Sequence, residues 1–253
     1  MLLVLAFFVT GCGSSIDRAV EQTIEQTHGI EPTGTFSIRN AVGAVRIHGS
    51  DTAEMKLKAT KKAWSTDQLK GIELRVSAQP GSVSIETTLP PQKTWGFSDR
   101  SGTVDYAIII PRTVKISRLE MGNGEVLIDG MRGDIRANLV NGGLTARNCF
   151  GNAQLSVANG ALDLFYERWE QRRFAVDARI ISGNARAFLP DKAAFHVVAE
   201  TVNGNVANHF APMEERHPRR ASKINMSIGP EPHSDISIRA TDGDIEIATA
   251  KSE

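Results

Sequence analysis

Four carboxylates, Asp129, Asp134, Asp163 and Asp177, are the residues whose type could do chemistry in the middle of this chain. Two such groups across a groove could cut a glycosidic bond, one as acid and the other as base or nucleophile. Their spacings follow no common period, so no pair falls at the same frame of a repeat, and a two-carboxylate site cannot be assembled from them. Calcium is excluded on similar grounds. A nonapeptide calcium roll needs Gly-Gly-x-Gly-x-Asp, whereas the third residue after successive glycines here is Leu127, Arg136, Thr145, Gln154 or Asp163. The histidines His28, His48, His196, His209, His217 and His233 show no paired ligand spacing. Cys149, beside Phe150, lacks the histidine pattern of a thiol nucleophile and reads as a small buried residue. No catalytic residue, metal or cofactor is expected.

Charge narrows the partners. Lys and Arg number 29, and so do Asp and Glu, giving a net charge of zero. Nucleic-acid binding rests on a concentrated cationic surplus, so it is not expected. Low aromatic content, at 6%, and 22 glycines suit short strands and many turns, an all-β class.

The other chemically meaningful residue is Cys12. Leu2 to Val9 is an apolar run, too short to cross a bilayer core that needs about 20 helical residues, and it reads as a signal peptide over residues 1–11. Val9-Thr10-Gly11-Cys12 resembles the lipobox of bacterial lipoproteins, which implies lipidation of Cys12. No Lys or Arg follows Met1 directly, which points to a start upstream. Residues 12–34 are polar, with Ile16, Val20 and Ile24 at fourfold spacing. The segment is expected to be a lipidated tether in preference to a short amphipathic helix.

What would position any site is the repeat. Gly124, Gly133, Gly142, Gly151 and Gly160 are nine residues apart, and alternate ones follow Asn123, Asn141 and Asn159. After each glycine the residues at plus two and plus four are apolar, as in Val126 and Ile128 or Leu162 and Leu164, with polar residues between them. That is the period of a strand with one face buried. Similar frames follow Gly43, Gly81, Gly183, Gly204 and Gly243, with Asn203 before Gly204. From Gly142 to Gly204 the corners fall 18, 23 and 21 residues apart. Such a period predicts a right-handed parallel β-helix, a β-solenoid of about 18–23 residues per coil with a strand and a corner in each nine-residue unit. Glycines at positive φ would form the corners. Asn123, Asn141, Asn159 and Asn203, with Gly124, Gly142, Gly160 and Gly204, would form a structural corner ladder. Because Asn-Gly is also a strong hairpin signal, an antiparallel meander competes. A meander, however, would leave its apolar face needing a second layer.

The segments "GTFSIRNAVGAVRIHGSD", "VDYAIIIPRTVKISRLEMGNGEVLIDGMRGDI" and "ARAFLPDKAAFHVVAETVNGNV" carry a resemblance to the putative-adhesin family of bacterial domains, from Gly34 to Ala248. The resemblance implies a β-helical body over residues 35–250, in the bacterial envelope, with no catalytic residues. Two segments break the repeat: "YERWEQRR", with Trp169, Arg172 and Arg173, and "HFAPMEERHPRRASK", with Arg219 and Arg220. Both are expected as exposed loops that contact an envelope protein, an anionic glycan or lipid head groups. The expectation is a lipid-anchored envelope protein, at the outer membrane in preference to the inner, that adheres or scaffolds without catalysis. A carbohydrate-binding or carbohydrate-processing β-helix is the alternative.

Overall fold

The computed structural model describes residues 19–91, 102–210 and 222–250. These form fifteen strands in one open, mixed sheet and a single short helix. In chain order the elements are β1 (Val20–Gly29), β2 (Thr35–Ser50), β3 (Glu54–Ala63), α1 (Thr66–Gly71), β4 (Glu73–Gln79), β5 (Ser82–Thr88), β6 (Thr103–Pro111), β7 (Lys115–Asp129), β8 (Ile135–Arg147) and β9 (Ala153–Phe165). There follow β10 (Ala175–Leu189), β11 (Phe195–Asn203), β12 (Val206–Asn208), β13 (Lys223–Ile228), β14 (Asp235–Asp242) and β15 (Ile245–Thr249). No helix among the described residues is long and apolar enough to cross a membrane.

The centre is parallel. β2, β7, β8, β9 and β10 lie side by side, with Gly43, Gly124, Gly142, Gly160 and Gly183 opposite one another. From β7 to β8 and from β8 to β9 the partner is 18 residues on, as in Asn123↔Asn141↔Asn159. The nine-residue units do not end at these glycines, contrary to expectation. Each strand runs through its Asn-Gly pair and only bends there, because Gly142 sits at φ 129°, closed to residues with a Cβ, while pairing continues on both sides. The bend also resets the alternation. In β8, Ile135, Ala137 and Leu139 are buried before it and Leu144 and Ala146 after it, while Val140 to Gly143 stay outside. Both halves therefore turn their apolar side to one continuous core.

Gly151 is different in kind. It is not among the positive-φ residues, yet a Cβ there would fall on the Gly133 carbonyl oxygen of the preceding turn. Its requirement is close backbone approach, so only alternate glycines of the series set positive φ.

Four further expectations are corrected. Val20–Gly29, read as tether, is β1, antiparallel to β3 along its whole length from Val20↔Ala63 to Gly29↔Glu54. The sheet is not uniformly parallel, since β1–β3, β3–β6, β4–β5 and β11–β13 are antiparallel. Gly81 belongs to the β4–β5 turn and not to the glycine stack. Lastly, Asn203 and Gly204 do not follow Ser182 and Gly183. The C-terminal strands β14 and β15 lie between, with Ser182↔Asp242 on one side and Asn203↔Asp242 on the other. Beyond the glycine, β15 offers β10 five residues, Ile245–Thr249, whereas β12 offers only Val206–Asn208. The longer match makes more ladder hydrogen bonds and excludes the shorter one.

Candidate functional site

The outward face of the parallel strands is a set of rows, one side chain per strand. Along the bend, the Asn141 amide nitrogen donates to Asn123 Oδ1 at 2.8 Å and that of Asn159 to Asn141 Oδ1 at 3.0 Å. Ser182 occupies the next position, and Asn203 stands apart, donating to Asp242 Oδ1 at 2.7 Å. Just before the bend, Val140, Ile181 and Val202 are exposed.

Nearer the strand starts lies a groove of about 670 Å³. It is lined by Lys115, Asp134, Arg136, Gln154, Asp177 and Arg239, with Ala153 and Ala175 among them. Arg136 donates through Nε to Gln154 Oε1 at 3.0 Å, and Asn152 donates to Asp134 Oδ1 at 3.2 Å. Asp177 holds Arg179 at 2.6 Å and has Arg239 at 3.7 Å. Of the four carboxylates singled out by type, Asp134, just before β8, and Asp177, in β10, both line this groove with β9 between those strands, while Asp129 and Asp163 lie beyond the bend.

Beyond the bend the charges neutralise one another. Arg147 grips Asp129 with two hydrogen bonds, 3.0 and 3.1 Å, and His48 Nδ1 lies 2.9 Å from the same carboxylate. Burial pushes the Asp129 pKa up, but the Arg147 and His48 contacts together outweigh it and the carboxyl is held below the usual range. Arg186 grips Asp163 in the same bidentate way at 2.8 and 2.7 Å. Among the described residues no cluster of His, Cys, Asp and Glu suits a metal ion.

The opposite corner is aromatic. Phe150, Tyr166, Trp169, Phe174, Phe195 and Phe210 form a chain of ring contacts, with Trp169 5.5 Å from Tyr166 and from Phe174 and 5.7 Å from Phe195. The Tyr166 hydroxyl donates to the Cys149 carbonyl at 3.0 Å. Burial pushes the Cys149 thiol up to about 12, which keeps it protonated and unreactive. Trp169, expected as an exposed contact, packs against the core, because a large ring beside four others hides more apolar surface than an exposed loop would. Arg172 and Arg173 in the same loop are exposed. Cys12, Arg219 and Arg220 lie outside the described residues.

The groove was not singled out from the sequence. It joins residues from Lys115 to Arg239, and the only sequence signal for it is the row of polar residues one or two positions into each strand, Arg136, Gln154, Asp177 and Ser237.

The molecule is thus an all-β protein with an open mixed sheet, a bend ladder and a polar groove. No family model matches the chain, and neither does any curated protein. Among solved structures, a putative cell adhesion protein from Clostridium sporogenes aligns with a TM-score of 0.56 at 18% identity, covering 89% of this chain and 99% of that one. A putative adhesin from Bacteroides fragilis aligns with a TM-score of 0.32 at 12% identity, over 89% and 96% of the two chains. The first of these likenesses shows a shared fold.

Proposed function

We propose that this chain is a member of the putative-adhesin family that works at the bacterial envelope by presenting a rigid β surface for adhesion or scaffolding, without catalysis. The observation that carries the reading is the register-locked outward face, on which side chains from five adjacent strands are fixed into one groove. A surface held this way binds without paying much ordering entropy. In this reading β7 to β10 wind as a β-helix, supported by the 18-residue step in pairing. Its hand is right, as parallel crossover connections almost always are. The Asn123, Asn141 and Asn159 ladder stiffens the bend, and a lipid on Cys12 anchors the chain at the outer membrane in preference to the inner. Its partner is an envelope protein or a glycan, and not nucleic acid.

Fractionation and adhesion test this together. The wild type should sediment with membranes through a salt wash, and Cys12→Ser should move to the soluble fraction, since two or three acyl chains bind almost permanently. Beads coated with the Cys12→Ser chain should bind bacterial envelopes saturably and be competed by free protein. Binding no greater than that of uncoated beads would overturn the surface-presenting reading. Asp134 and Asp177 in the groove favour a second reading, carbohydrate processing. Polysaccharide turnover abolished by Asp177→Asn would establish it.

A further inference from the structure

The groove deepens that reading by its chemistry. It runs across the beginnings of β7, β8, β9, β10 and β14, so four strand spacings of about 4.8 Å make it about 19 Å long. Its side chains therefore recur at one strand spacing, a step close to the advance of one sugar ring in an extended chain. Its charge balances: Lys115, Arg136 and Arg239 face Asp134, Asp177 and Asp235. A polyanion would be repelled by three carboxylates as strongly as it was drawn by three cations, whereas hydroxyl groups, each both donor and acceptor, can pair with either kind.

Part of this hydrogen-bonding capacity is unused within the described residues. Arg136 uses Nε on Gln154, which leaves the Gln154 amide nitrogen without a described acceptor. More telling is Ser237, beside Asp177 on the groove wall. Its hydroxyl is shielded from water and has no partner among the described residues. A shielded, unpaired hydroxyl in a native fold calls for an explanation, and a polar ligand group completing it is one.

We infer that this groove binds a neutral glycan chain laid across the strands. The inference rests on the surface-presenting reading, and the two can fail separately. The test is affinity gel electrophoresis of the full chain carrying Cys12→Ser, with hydroxyethyl cellulose, laminarin, mannan or dextran in the gel as neutral probes and dextran sulfate as the polyanion. At least one neutral polymer should retard the protein. Ser237→Ala and Gln154→Ala should each weaken that retardation roughly five- to tenfold, the loss of about one hydrogen bond. Neither should lower the urea midpoint, because the Ser237 hydroxyl has no partner among the described residues and Gln154 is exposed. Thr145→Ala, beyond the bend, should leave the affinity unchanged. Retardation by none of the four neutral polymers, retardation by dextran sulfate alone, or full affinity in both groove variants would each overturn the inference. Envelope adhesion that persists in the face of such a result would remove the groove as a glycan site and leave the surface-presenting reading intact.

Discussion

The two bends within each 18-residue repeat of β7 to β9 redirect the chain by different means. At Asn141-Gly142 the strand bends without ending, on a glycine at φ 129°, and the amides outside it bond from strand to strand. At Asn148 to Asn152 the strand ends, and Phe150 turns inward to meet Tyr166, Trp169 and Phe174. The first corner is thin, polar and dependent on backbone geometry. The second is thick and dependent on apolar burial. Each should fail to its own kind of substitution, by an amount that its physics sets.

The largest effect is expected at the bend. Gly142→Val would force a β-branched residue into a forbidden φ, with its Cβ on the Gly124 carbonyl oxygen. A loss of more than about 3 kcal/mol follows, read from urea unfolding or as failure to recover soluble protein. Wild-type stability in this variant would mean that the bend does not need positive φ.

Next comes the aromatic corner. Trp169→Ala should cost about 2–4 kcal/mol, since it opens a gap among four rings. Arg173→Ala, exposed four residues on, should stay within about 0.5 kcal/mol. Equal and small effects would return Trp169 to the surface and restore its role as an exposed contact.

The amide ladder is exposed, so its contribution is smaller. Asn141→Ala removes a bond on each side, and about 1 kcal/mol is expected. Gln154→Ala on the same strands should change stability by less than about 0.5 kcal/mol. No difference between the two would leave the bend to its glycines alone.

The smallest effect is a pH dependence at the C-terminal end, where His196 of β11 bridges Asn225 of β13 at 2.8 Å and Asp235 of β14 at 3.1 Å. Those two contacts, Asn225 first, raise its pKa. A raised histidine stabilises the fold fully below its unfolded value, about 6.5, and that contribution is lost as pH rises through the folded value. The urea midpoint should fall slightly above about pH 6.5, and His196→Gln should remove the slope. An unchanged slope in the variant would assign it to other groups.

Much of the core half of this comparison was legible in the chain. The alternation of Val126 with Ile128 and of Leu144 with Ala146 marks the buried face, and these residues are buried. The 18-residue step of Asn123, Asn141 and Asn159 matches the pairing in β7, β8 and β9. Both are local properties, set by side-chain period and by a glycine's freedom at φ. Trp169 was misjudged because an interruption of the repeat was read as an exposed loop, while its ring contacts come from Phe150, Phe174 and Phe195 on other elements.

By itself, then, the sequence determined the strands of the glycine repeat, their buried faces and the spacing of their bends, because each depends on residues within about one repeat of the chain. By contrast β1, read as tether, is a strand only through its pairing with β3. Only the tertiary structure decided which strands became neighbours. Thr35–His48 pairs with Lys115–Asp129 across 81 residues at Gly43↔Gly124, and β14 enters between β10 and β11 although β11 carries a similar alternation in Val197 and Ala199. Equivalent edges compete for one another, and the winner is set by the length of pairing and the packing available once the rest of the sheet has formed. The groove is a product of that competition, since Ser237 and Arg239 reach its wall only because β14 took the place beside β10.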